Sequence, residues 1–215
     1  MSKLVDGILD LLLPPRCAFC RKVLRRGESG MCASCEKTLP YRERQRENGP
    51  DFVDALCAPL EYTGAVRDAL LRYKFNGVTA YAGVFGRLVA TCVSENLAGE
   101  YDLVSWVPLS SERLAERGYD QAMLIAMAAA LDLGTVAVET LRKTRNVAPQ
   151  SGTGSPEKRR ANISGAYEAI DPELVEGKRI LLIDDIVTSG ATVSECARTL
   201  GMAGAESVVC ASVAR

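Results

Sequence analysis

The stretch Arg179-Ile180-Leu181-Leu182-Ile183-Asp184-Asp185-Ile186-Val187-Thr188-Ser189-Gly190-Ala191-Thr192 concentrates residue types that bind a phosphorylated sugar. Its apolar run reads as a strand buried on both faces. Two acids fall at the C-terminal end of that strand, where open α/β sheets bind their ligands. A turn of small hydroxyl residues and glycine follows, and then a helix begins. Such a turn aims backbone N–H groups and the positive end of the helix dipole at one point, which makes an anion site. Thr188, Ser189 and Thr192 add hydroxyl donors, and Gly190 lets the backbone come close. Two carboxylates beside a bare phosphate would repel it. A sugar phosphate removes the conflict: the turn takes the phosphate while the carboxylates accept from neighbouring sugar hydroxyls.

A Walker B strand also ends in acids, but the sequence holds no G-x-x-x-x-G-K-[ST] to accompany it. The strand, acid pair and turn closely resemble the phosphoribosyl diphosphate (PRPP) signature of type I phosphoribosyltransferases. The resemblance implies that Asp184 and Asp185 are catalytic and contact the ribose hydroxyls. It also implies that Thr188, Ser189, Gly190, Ala191 and Thr192 hold the 5'-phosphate, with Mg²⁺ bridging ribose and pyrophosphate.

Pyrophosphate is the more highly charged part of such a ligand and needs basic partners. The apolar segment 102–107 runs into Pro108-Leu109-Ser110-Ser111, followed by a helical pattern carrying Arg113 and Arg117. Amides at that helix start, Ser110 and the two arginines form one candidate site. A second lies in residues 142–165, which have no apolar period; there Arg142, Lys143, Arg145, Lys158, Arg159 and Arg160 face a single acid, Glu157. Type I phosphoribosyltransferases close a flexible basic hood at this place in chain order.

A narrower resemblance spans essentially the whole chain. Val107-Pro108, Arg113 and Arg117-Gly118-Tyr119-Asp120-Gln121-Ala122 resemble the V-P…R…R-G-[FY]-N-Q-A signature of the ComF family. These are bacterial phosphoribosyltransferase-like proteins linked to natural competence. Tyr73-Lys74-Phe75-Asn76-Gly77 is similar to that family's lysine motif, and Arg159, Asn162 and Ala166-Tyr167 to its post-loop motif. Lys74 thereby joins Ser110, Arg113, Arg117, Arg142 and Arg145 as candidate pyrophosphate ligands. Asp120 stands where asparagine is usual, and Ser189 where threonine is common.

Cys17, Cys20, Cys32 and Cys35 form two C-x-x-C knuckles on either side of a short segment containing Gly27 and Gly30. Each knuckle offers two thiolates to one metal, and four sulfurs complete a tetrahedral, structural Zn²⁺ shell with no open position. Two disulfides are the main alternative, disfavoured in a reducing compartment, and an iron–sulfur cluster is a third. The ComF resemblance implies the same zinc module. Arg16, Arg21, Lys22, Arg25 and Arg26 surround the knuckles, so the module either braces its neighbour or touches nucleic acid. The other four cysteines are scattered through apolar surroundings and read as small buried hydrophobes.

The elements that must position these groups follow from patterning. The chain has 215 residues, 47% of them hydrophobic and 25% charged, with a formal net charge of −1 and no histidine. That balance excludes a protein that coats nucleic acid by bulk charge, a histidine acid/base and a histidine-ligated metal. No apolar run approaches the roughly 18 residues of a membrane span. Met1–Pro15 reads as a short amphipathic helix docked on the body, and the protein as cytoplasmic. Residues 1–40 are expected to carry that helix and the zinc module, 41–53 a linker, and 54–215 a phosphoribosyltransferase-like domain.

Within that domain the patterning predicts strands near 55–61, 102–107, 135–140, 179–183 and 206–213. Helices are expected near 64–74, 80–97, 111–131 and 191–203. Strands alternating with amphipathic helices imply an α/β fold, a mostly parallel sheet covered on both faces. The expected reaction displaces pyrophosphate from PRPP with a nitrogen acceptor that the sequence does not identify; a carboxylate such as Asp185 is the nearest thing to a base. The alternative is a non-catalytic protein that senses PRPP or binds single-stranded DNA, alongside competence proteins as partners.

Overall fold

The computed structural model describes residues 14–144 and 163–215. The helix expected at the N-terminus lies outside the described residues. So does most of the basic segment, including Arg145, Glu157, Lys158, Arg159, Arg160 and Asn162.

The sheet is built outward from β6 (Arg179–Ile186). It pairs in parallel with β7 (Ser207–Ala214) on one side and β3 (Leu103–Trp106) on the other, with Ile180 opposite Val208 and Leu103. Beyond β7 lies β2 (Ala55–Cys57), also parallel, and beyond that β1 (Arg46–Asn48), antiparallel. The order is therefore β1-β2-β7-β6-β3. Both faces are covered, so alternate residues of β6 enter different cores. Leu181 and Ile183 join Val209 and Ala211 on one face, while Ile180 and Leu182 join Val208 and Cys210 on the other. All four β6 side chains are fully buried, which is why the strand reads as an unbroken apolar run.

The first face is packed by α2 (Gly64–Phe75), α3 (Tyr81–Asn96) and α5 (Gln121–Asp132). A Cβ on Gly86 of α3 would lie 2.5 Å from the Ala128 Cβ of α5, so this close helix contact requires glycine. The second face carries α7 (Ala191–Met202) and a two-stranded antiparallel ladder, β4 (Leu141–Lys143) with β5 (Tyr167–Ala169). The short α6 (Pro172–Val175) leads back to β6.

The cysteine module, including α1 (Ala33–Thr38), is continuous with the first core. Phe19 meets Phe85 edge to face at 6.0 Å, and Phe85 in turn meets Tyr73 at 5.3 Å. Arg72 fastens the contact by donating from Nη2 to the Ala18 and Phe19 carbonyls, at 2.8 and 3.1 Å.

Four expectations need correction. Residues 41–53 are not a linker, because they supply β1 and its turn into β2. Gly49 has no room for a Cβ, which would fall 2.1 Å from the Val53 carbonyl oxygen, and Val53 N–H bonds to Pro50 O at 2.9 Å, so the chain reverses here. The strand expected at 55–61 ends at Cys57: Pro59 has no N–H to give a ladder, and only Leu60 bridges again to Ala214.

The helix expected at 111–131 is two helices, α4 (Ser111–Arg117) and α5. Gly118 caps α4 in the left-handed region at φ 77°, and Asp120 opens α5. The strand expected at 135–140 contributes a single bridge, Ala137 to Val104, at the sheet edge; regular pairing begins only at Leu141, with β5.

Candidate functional site

The acid pair stands where β6 leaves the sheet. Asp184 is half-buried and Asp185 buried, and an Asp184 Oδ1 accepts from the Asp185 N–H at 2.8 Å. Lys74, in the last turn of α2, reaches Asp185 Oδ2 at 2.9 Å. Burial works against the charge on Lys74, but the Asp185 carboxylate, with Asp184 behind it, holds the lysine above its ordinary value. Asp184 fares differently: burial, then the charge of Asp185, push its carboxyl well above the usual carboxylate range.

The turn after the pair leads into a helix start with no capping side chain. Thr188 and Ser189 are exposed, and Gly190 adopts φ 78° at the N-cap of α7, where no side chain caps the helix. The first-turn N–H groups of a 12-residue helix are thus free of a capping side chain and point into a hollow lined by Thr188, Ser189, Ala191 and Thr192. A Cβ on Gly190 would meet the Pro50 ring at 2.7 Å, so the turn between β1 and β2 packs directly on this loop. Asp184 and Thr192 also line the adjoining cavity, of about 170 Å³, which places the turn and the acid pair on one continuous site.

That cavity gathers Lys74, Arg113, Arg117 and Lys143 around the two aspartates. Ser110 caps α4, its Oγ accepting from Arg113 N–H at 3.4 Å, and is itself buried. Arg117 donates from Nη1 to Gln121 Oε1 at 2.8 Å. Arg142 is not brought to the site: its side chain is exposed and pairs with Glu168 across the β4–β5 ladder. Arg145 lies outside the described residues.

Lys143, the residue after Arg142, turns inward instead, as the twofold alternation of a strand requires. Its Nζ sits 5.1 Å from the Tyr167 ring centroid, and burial, then the charge of Arg113, push its ammonium below the ordinary value. Sequence reasoning named this lysine only as part of a basic loop. Placing a strand at 141–143 with Leu141 inward would have picked it out by parity.

Asp120 is buried and used entirely within the fold. One carboxylate oxygen accepts from Met123 N–H at 3.0 Å, capping α5, and the other from Leu109 N–H at 2.9 Å. It therefore ties the segment after β3 to the helix behind it. Burial, opposed by these amide bonds, leaves its carboxyl above the usual range.

The four cysteine sulfurs all lie within 4.8 Å of one another, and Cys20 Sγ is 3.7 Å from Cys32 Sγ. A disulfide would bring sulfurs to about 2.05 Å. A tetrahedron of thiolates about 2.3 Å from zinc has edges of about 3.8 Å, so the cluster fits that ion and not a pair of bridges. Amide N–H groups of Cys32 and Cys35 point at sulfurs of Cys17 and Cys32 at 3.4 and 3.5 Å. Burial raises the Cys17 thiol, but amides of Cys20, Cys32 and Phe19 draw it down to about 7, whereas burial and the neighbouring sulfurs raise Cys35. Arg16, Arg21, Lys22, Arg25 and Arg26 are all exposed around this cluster.

Residues 120–215 match the phosphoribosyl transferase domain family, and residues 8–46 match the double zinc ribbon domain. The chain is 30% identical to the competence protein ComFC of Streptococcus pneumoniae over 90% of its own length and 91% of that protein's. It is 28% identical to the DNA utilization protein YhgH of Salmonella typhi, covering 92% of this chain and 96% of that one. With competence protein F of Haemophilus influenzae the identity is 25%, over 93% and 96%. A solved glutamine PRPP amidotransferase from B. subtilis aligns over 60% of this chain and 25% of its own, with 26% identity and a TM-score of 0.41.

Proposed function

Because the chain belongs to the ComF family, with a phosphoribosyl transferase domain behind an N-terminal zinc module, we propose that it binds PRPP with Mg²⁺ and transfers the ribosyl phosphate to a nitrogen acceptor, in the service of DNA uptake. The observation that carries this reading is convergence. Lys74, Arg113, Arg117 and Lys143 meet Asp184, Asp185 and Thr192 around one cavity, and the cavity runs into the uncapped start of α7.

In this arrangement the 5'-phosphate rests on the Thr188–Thr192 turn and the ribose hydroxyls donate to Asp184 and Asp185. The four cations meet the pyrophosphate. Lys74 and the ribose hydroxyls compete for Asp185, so sugar binding releases the lysine toward the departing charge. Asp184 and Asp185, as hard oxygen donors, would suit a magnesium-bearing ligand, and such an ion would supply charge neutralisation at the pyrophosphate. The bond from ribose C1 to pyrophosphate oxygen breaks as a bond from C1 to nitrogen forms, and any proton on that nitrogen passes to water or to Asp185. Catalysis rests on orientation and on cations preorganised where negative charge builds.

Titration calorimetry of the whole chain with PRPP, with and without Mg²⁺, tests the reading. Micromolar, Mg²⁺-dependent binding is expected, abolished by Asp184→Asn with Asp185→Asn at unchanged fold. Affinity retained in that double variant would overturn the site. A second reading, in which the protein senses PRPP or binds single-stranded DNA without catalysis, draws on the exposed basic residues around the knuckles. PRPP binding with no pyrophosphate release under any acceptor supports the sensor, and salt-dependent oligonucleotide binding that survives loss of Asp184 and Asp185 supports the DNA binder.

A further inference from the structure

Phe75 is the last residue of α2, and 65% of it is exposed. It follows Lys74, which is committed to Asp185, and precedes Asn76 and Gly77, the latter at φ 67°. The exposure is unusual for its surroundings, because the preceding Tyr73 is fully buried and donates from its hydroxyl to the Gln121 carbonyl at 2.9 Å. The Arg117 guanidinium covers one face of the Phe75 ring at 5.2 Å from the centroid, and that guanidinium is itself held by Gln121 Oε1. The ring is therefore fixed on one side and open on the other.

Phe75 lines a second cavity, of about 400 Å³, with Tyr119, Gly77 and Glu116. Its remaining wall is made of Lys74, Arg113 and Arg117, and these three also line the cavity around Asp184 and Asp185. The two hollows thus adjoin, with these three side chains lining both. The volume suits one small planar molecule. An aromatic ring backed by arginine is a stacking platform for a heterocycle. With Lys74 paired to Asp185, Arg113 and Arg117 face one acid, Glu116, and this excess of positive charge accepts an acidic group on the heterocycle.

We infer that the Phe75 hollow is the acceptor site, and that the acceptor is a planar nitrogen heterocycle bearing a carboxylate. The heterocycle stacks on the face of Phe75 away from Arg117, and its acid meets Arg113, which lines the same hollow. Its ring nitrogen forms the bond to ribose C1 as the C1–O bond breaks, and the bonding pair leaves with pyrophosphate. This rests on the PRPP reading above. A single-stranded nucleic acid is disfavoured here, since such binders use successive aromatic platforms and this cavity holds Phe75 as its one exposed ring, among the described residues.

The test measures binding of orotate, nicotinate, uracil, adenine and a short oligothymidylate to the whole chain, alongside PRPP with Mg²⁺. Orotate or nicotinate should bind at least ten-fold more tightly than uracil or adenine. Phe75→Ala should weaken that binding about ten-fold, Phe75→Tyr should restore it, and both should leave PRPP affinity within two-fold. Because the side chain is exposed, neither variant endangers the fold, which a thermal melt verifies. Normal PRPP binding with no carboxylate preference, or with heterocycle affinity indifferent to Phe75→Ala, overturns the acceptor site and leaves the PRPP site standing. Oligothymidylate binding lost on Phe75→Ala while no free heterocycle binds overturns it in favour of nucleic acid. Failure of the unmodified chain to bind PRPP removes the underlying reading.

Discussion

Asp184 sits in surroundings that oppose its own charge, with burial and Asp185 both raising its carboxyl. A carboxyl whose folded pKa exceeds its unfolded value of about 4 takes up protons on folding, so stability falls as pH rises between the two. Asp184→Asn keeps the acceptor oxygen for the Asp185 N–H and removes the charge. The variant is expected to be more stable than the parent at pH 7.5, to lose that advantage near pH 4, and to lose PRPP binding throughout; urea denaturation at the two pH values measures it. Such a stability–function exchange is common where a charge is held for a ligand. The acid pair and its turn were legible in the sequence because strand, acids, hydroxyls and glycine are adjacent. Lys143 was not, since its inward direction depends on a three-residue strand that no apolar pattern marks, and the same strand turns Arg142 outward.

At the level of elements, helices α2 and α3 follow the apolar periodicity closely, while the corrections fall where the chain turns. Gly118 and Asp120 divide one helical pattern in two, and the division has a purpose visible only in three dimensions: it lets Asp120 cap α5 and hold Leu109 at once. Aspartate offers two oxygens for these two amides; asparagine offers one, and its NH₂ would face the other donor. Asp120→Asn is expected to cost about 1–3 kcal/mol, the range for a buried donor left unpaired, read as a lowered urea midpoint. A midpoint equal to the parent's would show that the segment after β3 is held by other contacts. The β1 strand was hidden for a different reason, because an edge strand of three polar residues looks like any charged loop until its partner is known.

Across the whole molecule, the cysteine module and the sheet share one core. Cys17, Ala18 and Phe19 are buried with Val66, Tyr73 and Phe85, and Arg72 grips the first knuckle's carbonyls two residues before Lys74 grips Asp185. Stripping the metal with a strong chelator, or Cys17→Ser, is therefore expected to lower the midpoint of a single cooperative thermal transition. Two separate transitions, with the sheet melting at its original temperature, would show the module to be an independent appendage. Fold class and zinc chemistry were both readable from spacing, but this shared packing was not, because it joins segments some fifty residues apart through side chains whose partners spacing does not reveal.

The strand order has a consequence in time. β2 lies beside β7, and Asp54 accepts from the Val208 N–H at a sequence separation of 154 residues. During synthesis on the ribosome, the early strand emerges long before the partner that completes its ladder. The knuckles, whose ligands span residues 17–35, can close around metal at once. The nascent chain then carries a finished module beside an unpaired strand edge until residues 207–214 arrive, and that interval is when chaperones have something to hold and aggregation has something to seed.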